Sequence, residues 1–275
     1  MTKTWFITGA NRGFGREFAR AALARGDRVA ATSRNLDGLT DLAEDFGDAL
    51  LPLELDVTDR NGVNAAVGAA VDHFGRVDVV VNNAGYGLFG MVEEITEQQL
   101  RDQLEVNLFG VLYVTQAFLP VLRGQGGGHI IQISTIGGIT TFPNLGGYHA
   151  SKWAVEGMTE ALAQEVADFG IKVTLVEPGA FKTDWSGNSA VRAAGQQQYD
   201  SVRARMAERS KKLPANFNGN PAGVGPAILQ IVDADDPPLR VLFGLMPTVV
   251  VPGVYEQRLK LWKQWESVSL LANGN

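Results

Sequence analysis

The feature that most restricts the fold stands at the start of the chain. An apolar run, Thr4–Thr8, leads into TGANRGFG, and a helical pattern, REFARAALARG, follows at once. A strand, a glycine-rich turn and a helix in that order leave few topologies, because such a helix buries its apolar stripe only by packing back on a sheet. Gly9, Gly13 and Gly15 also have a chemical use. Without side chains there, the backbone around Asn11, Arg12 and Phe14 can approach a pyrophosphate lying at the positive end of the helix. The spacing is GxxxGxG and not GxGxxG, and glycine also serves plain turn geometry.

The alternation then repeats. RVAATSR reads as a strand, LTDLAEDF as a helix, ALLPLELDV as a strand, RNGVNAAVGAAVDHF as a helix and VDVVVNNAG as the fourth strand. A long helix over 97–123, a strand at HIIQIS, another helix, a strand at KVTLVEPG and a last one at LRVLFG complete the series. Continuous apolar strands between amphipathic helices predict a doubly wound α/β fold of Rossmann type, with a mostly parallel seven-stranded sheet covered on both faces. We expect one dinucleotide-binding and catalytic domain over 1–275.

Composition narrows the chemistry. The chain has no cysteine, so thiol nucleophiles, disulfides and cysteine metal sites are excluded. His73, His129 and His149 are too far apart in sequence for a ligand pair such as HxxxH, and no metal is expected. His149 reads as a pocket wall or a surface residue. A net charge of −6 with no basic run argues against nucleic acid or an anionic membrane as partner. No signal-like segment precedes the first strand, and no apolar run nears the ~20 residues that span a bilayer. The expected location is cytoplasmic.

Within STIGGITTFPNLGGYHASK, Tyr148 and Lys152 stand four apart on a predicted helix, fourteen residues after Ser134. That spacing puts both side chains on one face, where an ammonium can lower a phenol pKa from its usual value near about 10. Such a pair is an acid/base catalyst, although a packed tyrosine beside a surface lysine has the same spacing. In the long helix, Leu100, Leu104, Leu108, Val111, Thr115 and Phe118 form an apolar stripe interrupted by Asn107. A buried amide needs hydrogen bonds, so Asn107 either ties elements together or belongs to a site.

TGANRGFG, Asp56 in LDVTD, NNAG at 82–85, Asn107, Ser134, YHASK and PGAFKT at 178–183 occur in an order and at spacings that resemble the short-chain dehydrogenase/reductases. The resemblance covers about residues 3–243. It implies that Tyr148 exchanges a proton with the substrate oxygen, that Ser134 holds that oxygen, and that Lys152 lowers the phenol pKa and bonds the nicotinamide ribose. Asn107 would complete a proton relay through water. Asp56 and Val57 would face the adenine, Asn83, Ala84 and Gly85 would pass close to the dinucleotide, and Pro178, Gly179 and Thr183 would border the carboxamide. Each of these has a plainer reading as a cap, a turn or a strand end. The implied activity is interconversion of an alcohol with a ketone or aldehyde. ATSRNLDGL and VEPGAFKTDW resemble hydroxysteroid and retinol dehydrogenases, which leaves the substrate open. A non-catalytic NADP-binding protein, and the epimerase/dehydratase branch that shares YxxxK, are the competing readings.

Local sequence suggests the cofactor. NAD(H) calls for an acid at the end of the second strand, whereas this strand ends in Ser33 and Arg34. With Arg12 across the crevice, two guanidiniums are available to a 2′-phosphate, so NADP(H) is expected over NAD(H). Asp37 is the counter-argument by spacing, and capping the next helix is its alternative role. Residues 184–221 read as a polar, partly helical substrate lid, and 252–268 as an amphipathic C-terminal helix that packs or mediates assembly. The expected partners are a largely apolar small molecule and further copies of the chain, as a homodimer or homotetramer.

Overall fold

The computed structural model describes residues 2–187 and 189–274. Met1, Asn188 and Asn275 lie outside the described residues, Asn188 within the segment expected to be a lid. The chain runs β1 (Thr4–Thr8), α1 (Gly13–Ala24), β2 (Arg28–Ser33), α2 (Thr40–Phe46), β3 (Leu50–Glu54), α3 (Arg60–Phe74) and β4 (Val79–Asn82). A short β5 (Leu88–Phe89) precedes α4 (Glu97–Leu104), a π-helical turn (Glu105–Phe109) and α5 (Gly110–Gly124). Then come β6 (Gly128–Ile133), α6 (Gly146–Glu165), β7 (Ile171–Pro178), β8 (Val191–Arg192), α7 (Asp200–Lys211), α8 (Val224–Asp233), β9 (Arg240–Phe243), α9 (Leu245–Gln264) and α10 (Glu266–Ala272).

Seven strands form one parallel sheet in the order β3-β2-β1-β4-β6-β7-β9. This is the doubly wound arrangement expected from the alternation. Every residue of β1 is buried, which only a sheet covered on both faces allows. Trp5 and Ile7 point into the core shared with Phe18 and Ala22 of α1 and Ile228 of α8, whereas Phe6 enters the opposite core with Val67 of α3 and Phe118 of α5. Phe6 and Phe118 meet edge to face, 4.8 Å between centroids. The strand order reverses between β1 and β4, and the crevice at their carboxyl ends is where such a sheet takes a ligand.

Two elements differ from expectation. The predicted single helix over 97–123 is broken into α4 and α5 by the π turn that contains Asn107. No uninterrupted apolar run is long, yet an 18-residue stretch within Glu97–Gly124 reaches a mean hydropathy of 1.4, enough by length and composition to cross a membrane, with 33% of that stretch buried. Its inner side packs against α3, β4 and β6. The C-terminal helix begins at Leu245, earlier than 252, directly after Gly244 with φ +89°, and stops at Gln264, with α10 following.

Candidate active site

A cleft of about 730 Å³ opens at the strand reversal. Of the residues singled out above, Gly9, Asn11, Arg12, Gly13, Phe14, Ser33, Arg34, Asp56, Val57, Asn83, Ala84, Gly85, Ser134, Tyr148, Lys152, Pro178 and Thr183 line it, while Gly15, Asn107 and Gly179 stand behind its wall.

The glycine turn divides its work unevenly. Gly9 and Gly13 take φ +65° and +55°, which side chains rarely adopt. Around Gly13 a Cβ would meet nothing, so this residue is the open point of the turn. A Cβ on Gly15 would instead clash with the Gly9 carbonyl and lie 2.5 Å from Asn83 Nδ2, so Gly15 serves the packing of helix on strand. α1 starts with Arg12 in extended backbone, no side chain caps its first amides, and no acid lies in its first turn. Those donors remain for an anion.

Asn83 holds this turn in place. Its Nδ2 donates to the carbonyls of Thr8 at 2.9 Å and Gly9 at 3.0 Å, and the Thr8 hydroxyl accepts from the amides of Asn83 and Ala84 at 2.9 and 3.0 Å. Sequence reasoning missed Thr8, whose only signal is a hydroxyl in an otherwise apolar run. Gly179 packs on Pro247, where a Cβ would approach to 2.6 Å.

At the other end of the cleft, Arg34 is exposed and Ser33 buried. Asp37 does not line the cleft: its carboxylate accepts from Asn35 Nδ2 at 3.0 Å and its amide donates to Asn35 Oδ1 at 2.7 Å, which makes a local turn before α2. Asp56 accepts from the Thr58 amide and hydroxyl at 2.9 and 2.8 Å, and Asp59, not Asp56, caps α3 through the Asn61 amide. Arg12 lies 3.7 Å from Asp184. Tyr86, Asp102 and Asn35 complete this wall and were not anticipated. Burial pushes the Tyr86 phenol up, Asp102 adds to that, and Arg34 opposes it.

Tyr148 and Lys152 share one face of α6, both buried. The spacing predicted an ammonium acting on the phenol. Here the Lys152 Nζ instead donates to the Ile133 carbonyl at 2.7 Å. Burial drives the Tyr148 phenol above its ordinary value, opposed by its hydrogen bond with Thr135. Burial also lowers Lys152 to about 8, against the pull of Glu156. Ser134 lines the same cleft as Tyr148. Its buried hydroxyl has no partner among the described residues, and a Cβ built on Gly138 would lie 2.8 Å from it. Thr135 Oγ1 donates to the Pro178 carbonyl at 3.3 Å and accepts from the Gly137 amide at 3.1 Å.

Asn107 is fully buried in the π turn. Its Oδ1 accepts from the Tyr86 amide at 3.1 Å, and its Nδ2 donates to the Tyr86 carbonyl at 3.0 Å and to Ser151 Oγ at 3.2 Å. The amide thus ties the β4 loop to α6, one of the two alternatives its place in the stripe left open. His149 belongs to neither the pocket wall nor the surface: it is buried, and its Nε2 accepts from the Phe142 amide at 3.0 Å.

Past the strand ends, β5 pairs with β8, bringing Phe89 and Trp185 over the tyrosine. The Trp185 ring lies 4.9 Å from that of Tyr148 and 5.3 Å from that of Phe89. Thr183, expected at the carboxamide, accepts weakly from the Trp185 amide at 3.4 Å.

The family model for short chain dehydrogenases matches residues 3–193. The chain belongs to this family. It is 45% identical over 245 residues to oxidoreductase BOA17 of Botryotinia fuckeliana, covering 89% of each chain. It is 39% identical over 247 residues to a 3-ketodihydrosphingosine reductase of Bacteroides thetaiotaomicron, covering 89% of this chain and 88% of that one. A short-chain dehydrogenase from Streptomyces avermitilis superposes with a TM-score of 0.90 at 37% identity over 98% of both chains. One from Burkholderia cenocepacia, in complex with NADP, superposes with a TM-score of 0.76 at 27% identity over 96% of this chain and 97% of that one. The molecule is an oxidoreductase of this family with a Rossmann-type nucleotide-binding fold.

Proposed function

We propose that the protein is an NADP(H)-dependent oxidoreductase that interconverts an alcohol with a ketone or aldehyde, with Tyr148 as general acid and base. The observation that carries this reading is the meeting of Tyr148, Ser134 and Lys152 at one end of a cleft whose other end is an uncapped helix start. The residues fit a dinucleotide: free amides at α1, open space at Gly13, and two arginines beside Ser33. The bound nicotinamide supplies or accepts the hydride.

The rest falls to the chain. The phenol, protonated at neutral pH, donates its proton to a carbonyl oxygen in reduction and, as phenolate, takes one from an alcohol in oxidation. Ser134, whose hydroxyl has no partner among the described residues, holds the same oxygen. Lys152 spends one N–H on Ile133 and has two left for ribose hydroxyls and for the charge of the phenolate. Asn107 and Ser151 hold α6 in register with the β4 loop, the anchor for a relay of protons through water.

Residues 1–275 act as one domain, with 184–221 as the substrate lid and Trp185 and Val191 as its apolar lining, suited to a largely apolar small molecule. Arg12 and Arg34 support NADP(H), as does the absence of a carboxylate from the end of β2. Neither net charge nor patterning favours nucleic acid or a membrane, and the cytoplasm is the expected location. A panel of ketones and aldehydes with NADPH and with NADH, followed by absorbance of the reduced cofactor, tests the activity. The wild type should show the higher kcat/KM with NADPH, and Ser33→Asp with Arg34→Leu should reverse the order; better use of NADH by the wild type would remove both arginines as phosphate ligands.

A further inference from the structure

Behind the catalytic pair lies a group of charges that the reaction itself does not use. Lys152, Glu156 and Glu160 follow one another at intervals of four on α6, so they share one face of the helix. Glu177 of β7 and Arg240 of β9 face them from the sheet. Arg240 Nε lies 3.1 Å from Glu156 Oε2 and 3.4 Å from Glu177 Oε1, and its Nη2 lies 2.9 Å from Glu160. Lys152 and Glu156 are each 6% exposed and Glu177 1%, whereas Glu160 reaches solvent.

Arg240 thus stands between the Glu156 and Glu177 carboxyls, and burial, helped by the Glu156 charge, pushes the Glu177 carboxyl up. Along this face the charges alternate: Lys152 positive, Glu156 negative, Arg240 positive, Glu160 negative. Glu156 Oε1 has no hydrogen-bond partner among the described residues, and it approaches Gly138 from the same side as Ser134 Oγ: a Cβ there would lie 2.9 and 2.8 Å from the two. From the neighbouring elements, His149 faces Gly137, and Arg258 of α9 donates to the Ile139 carbonyl at 2.5 Å. Neither supplies a negative charge. A buried ammonium with one carbonyl partner needs a counter-ion, and Glu156 is the one anion acting on it.

We propose that Glu156, anchored by Arg240, is the positioning residue whose charge keeps Lys152 an ammonium in the closed interior. This rests on the assignment of Lys152 to catalysis given above. Glu177 strengthens the device as pH rises. Burial, then the Glu156 charge, pushes it up to about 8, so it ionises in the range where Lys152 would lose its proton.

The test reads Lys152 directly. In protein labelled with 13C-lysine, the Cε resonance that vanishes in Lys152→Met is followed against pH. Glu156→Gln, which keeps a bond to Arg240 and loses the charge, should lower the Lys152 midpoint by about one pH unit or more, a tenfold loss of proton affinity. Glu177→Gln should move it less and in the same direction. Should Glu156→Gln not fold, Glu156→Asp should give a smaller shift of the same sign. A Lys152 midpoint that stays within about 0.3 unit in the folded Glu156 variant overturns the proposal. The alkaline limb of kcat/KM should move with the resonance. If the resonance shifts and that limb does not, the proposal stands and the catalytic role of Lys152 fails.

Discussion

Successive residues leaving a strand point to opposite faces. Of the two hydroxyls that follow β6, the Thr135 one is engaged by the Pro178 carbonyl and the Gly137 amide, while the buried Ser134 one has no partner among the described residues. The sequence offers both as neighbours, and counting alone gives no face until the strand end is fixed to the residue. We expect Ser134→Ala to lower kcat by about ten- to a hundredfold and Thr135→Val to cost less, while Tyr148→Phe removes about 10²–10⁴ of the rate and leaves cofactor affinity nearly unchanged in a fluorescence titration. Equal losses from the two hydroxyl variants would mean that Thr135 shares the substrate oxygen with Ser134. Glu177 carries a separate prediction for stability. Its carboxyl is raised from 4.5 to about 8 in the fold, so its contribution is fully present below about 4.5 and is lost as pH rises toward 8. Glutamine cannot titrate. The Tm of Glu177→Gln relative to wild type should therefore climb between pH 5 and pH 8, and a constant difference would mean that Glu177 is already ionised in the folded protein.

At the scale of elements, what repeats was legible and what interrupts was not. The seven strands and their helices announce themselves by runs of apolar residues at two periods, and burial on both faces of β1 follows from the same runs. The π turn at Asn107 has no periodic signature, because it is set by bonds to Tyr86 and Ser151 on other elements. Residues 184–221 were legible only as polar, and α7 buries none of its residues. What fixes that segment is a latch. Arg203 pairs with the buried Glu94 and donates to the Gln196 carbonyl at 2.9 Å, while the Gln196 amide donates to Glu94 at 2.7 Å and Tyr199 bonds Glu93 at 2.6 Å. The Arg203 guanidinium holds the Glu94 carboxyl down at about 2, so the latch contributes above the ordinary carboxyl range and is lost only in strong acid as pH falls toward 2. Arg203→Met leaves Glu94 unpaired. We expect faster tryptic cleavage within 205–212 and a several-fold rise in KM with kcat little changed; a protease-resistant variant with unaltered KM would show that the segment is held by something else.

For the molecule as a whole, the surface that remains is the argument. Residues 106–122 are largely apolar, yet in a single copy Phe109 and Pro120 are exposed and Leu108, Leu112, Tyr113 and Leu119 only half-buried. Phe109 stands partly exposed with its ring 6.3 Å from that of Tyr113, and Trp153 on the neighbouring α6 is 42% exposed. An apolar face of this kind calls for cover, and two-fold pairing of the face with itself covers it without a second kind of partner. Beside it, Arg60 lies over the Tyr113 ring at 5.4 Å. We therefore expect a dimer or tetramer of the 29.5 kDa chain by light scattering at micromolar concentration. Replacing the exposed aromatic by a charge, Phe109→Asp, should shift the mass toward that of one chain, because two carboxylates would meet across the two-fold axis in a desolvated contact. The exposed Trp262 and Trp265 of the C-terminal region serve as the control: if Trp262→Asp dissociates the assembly and Phe109→Asp does not, the contact lies at the tail and the α4–α5 face is left bare.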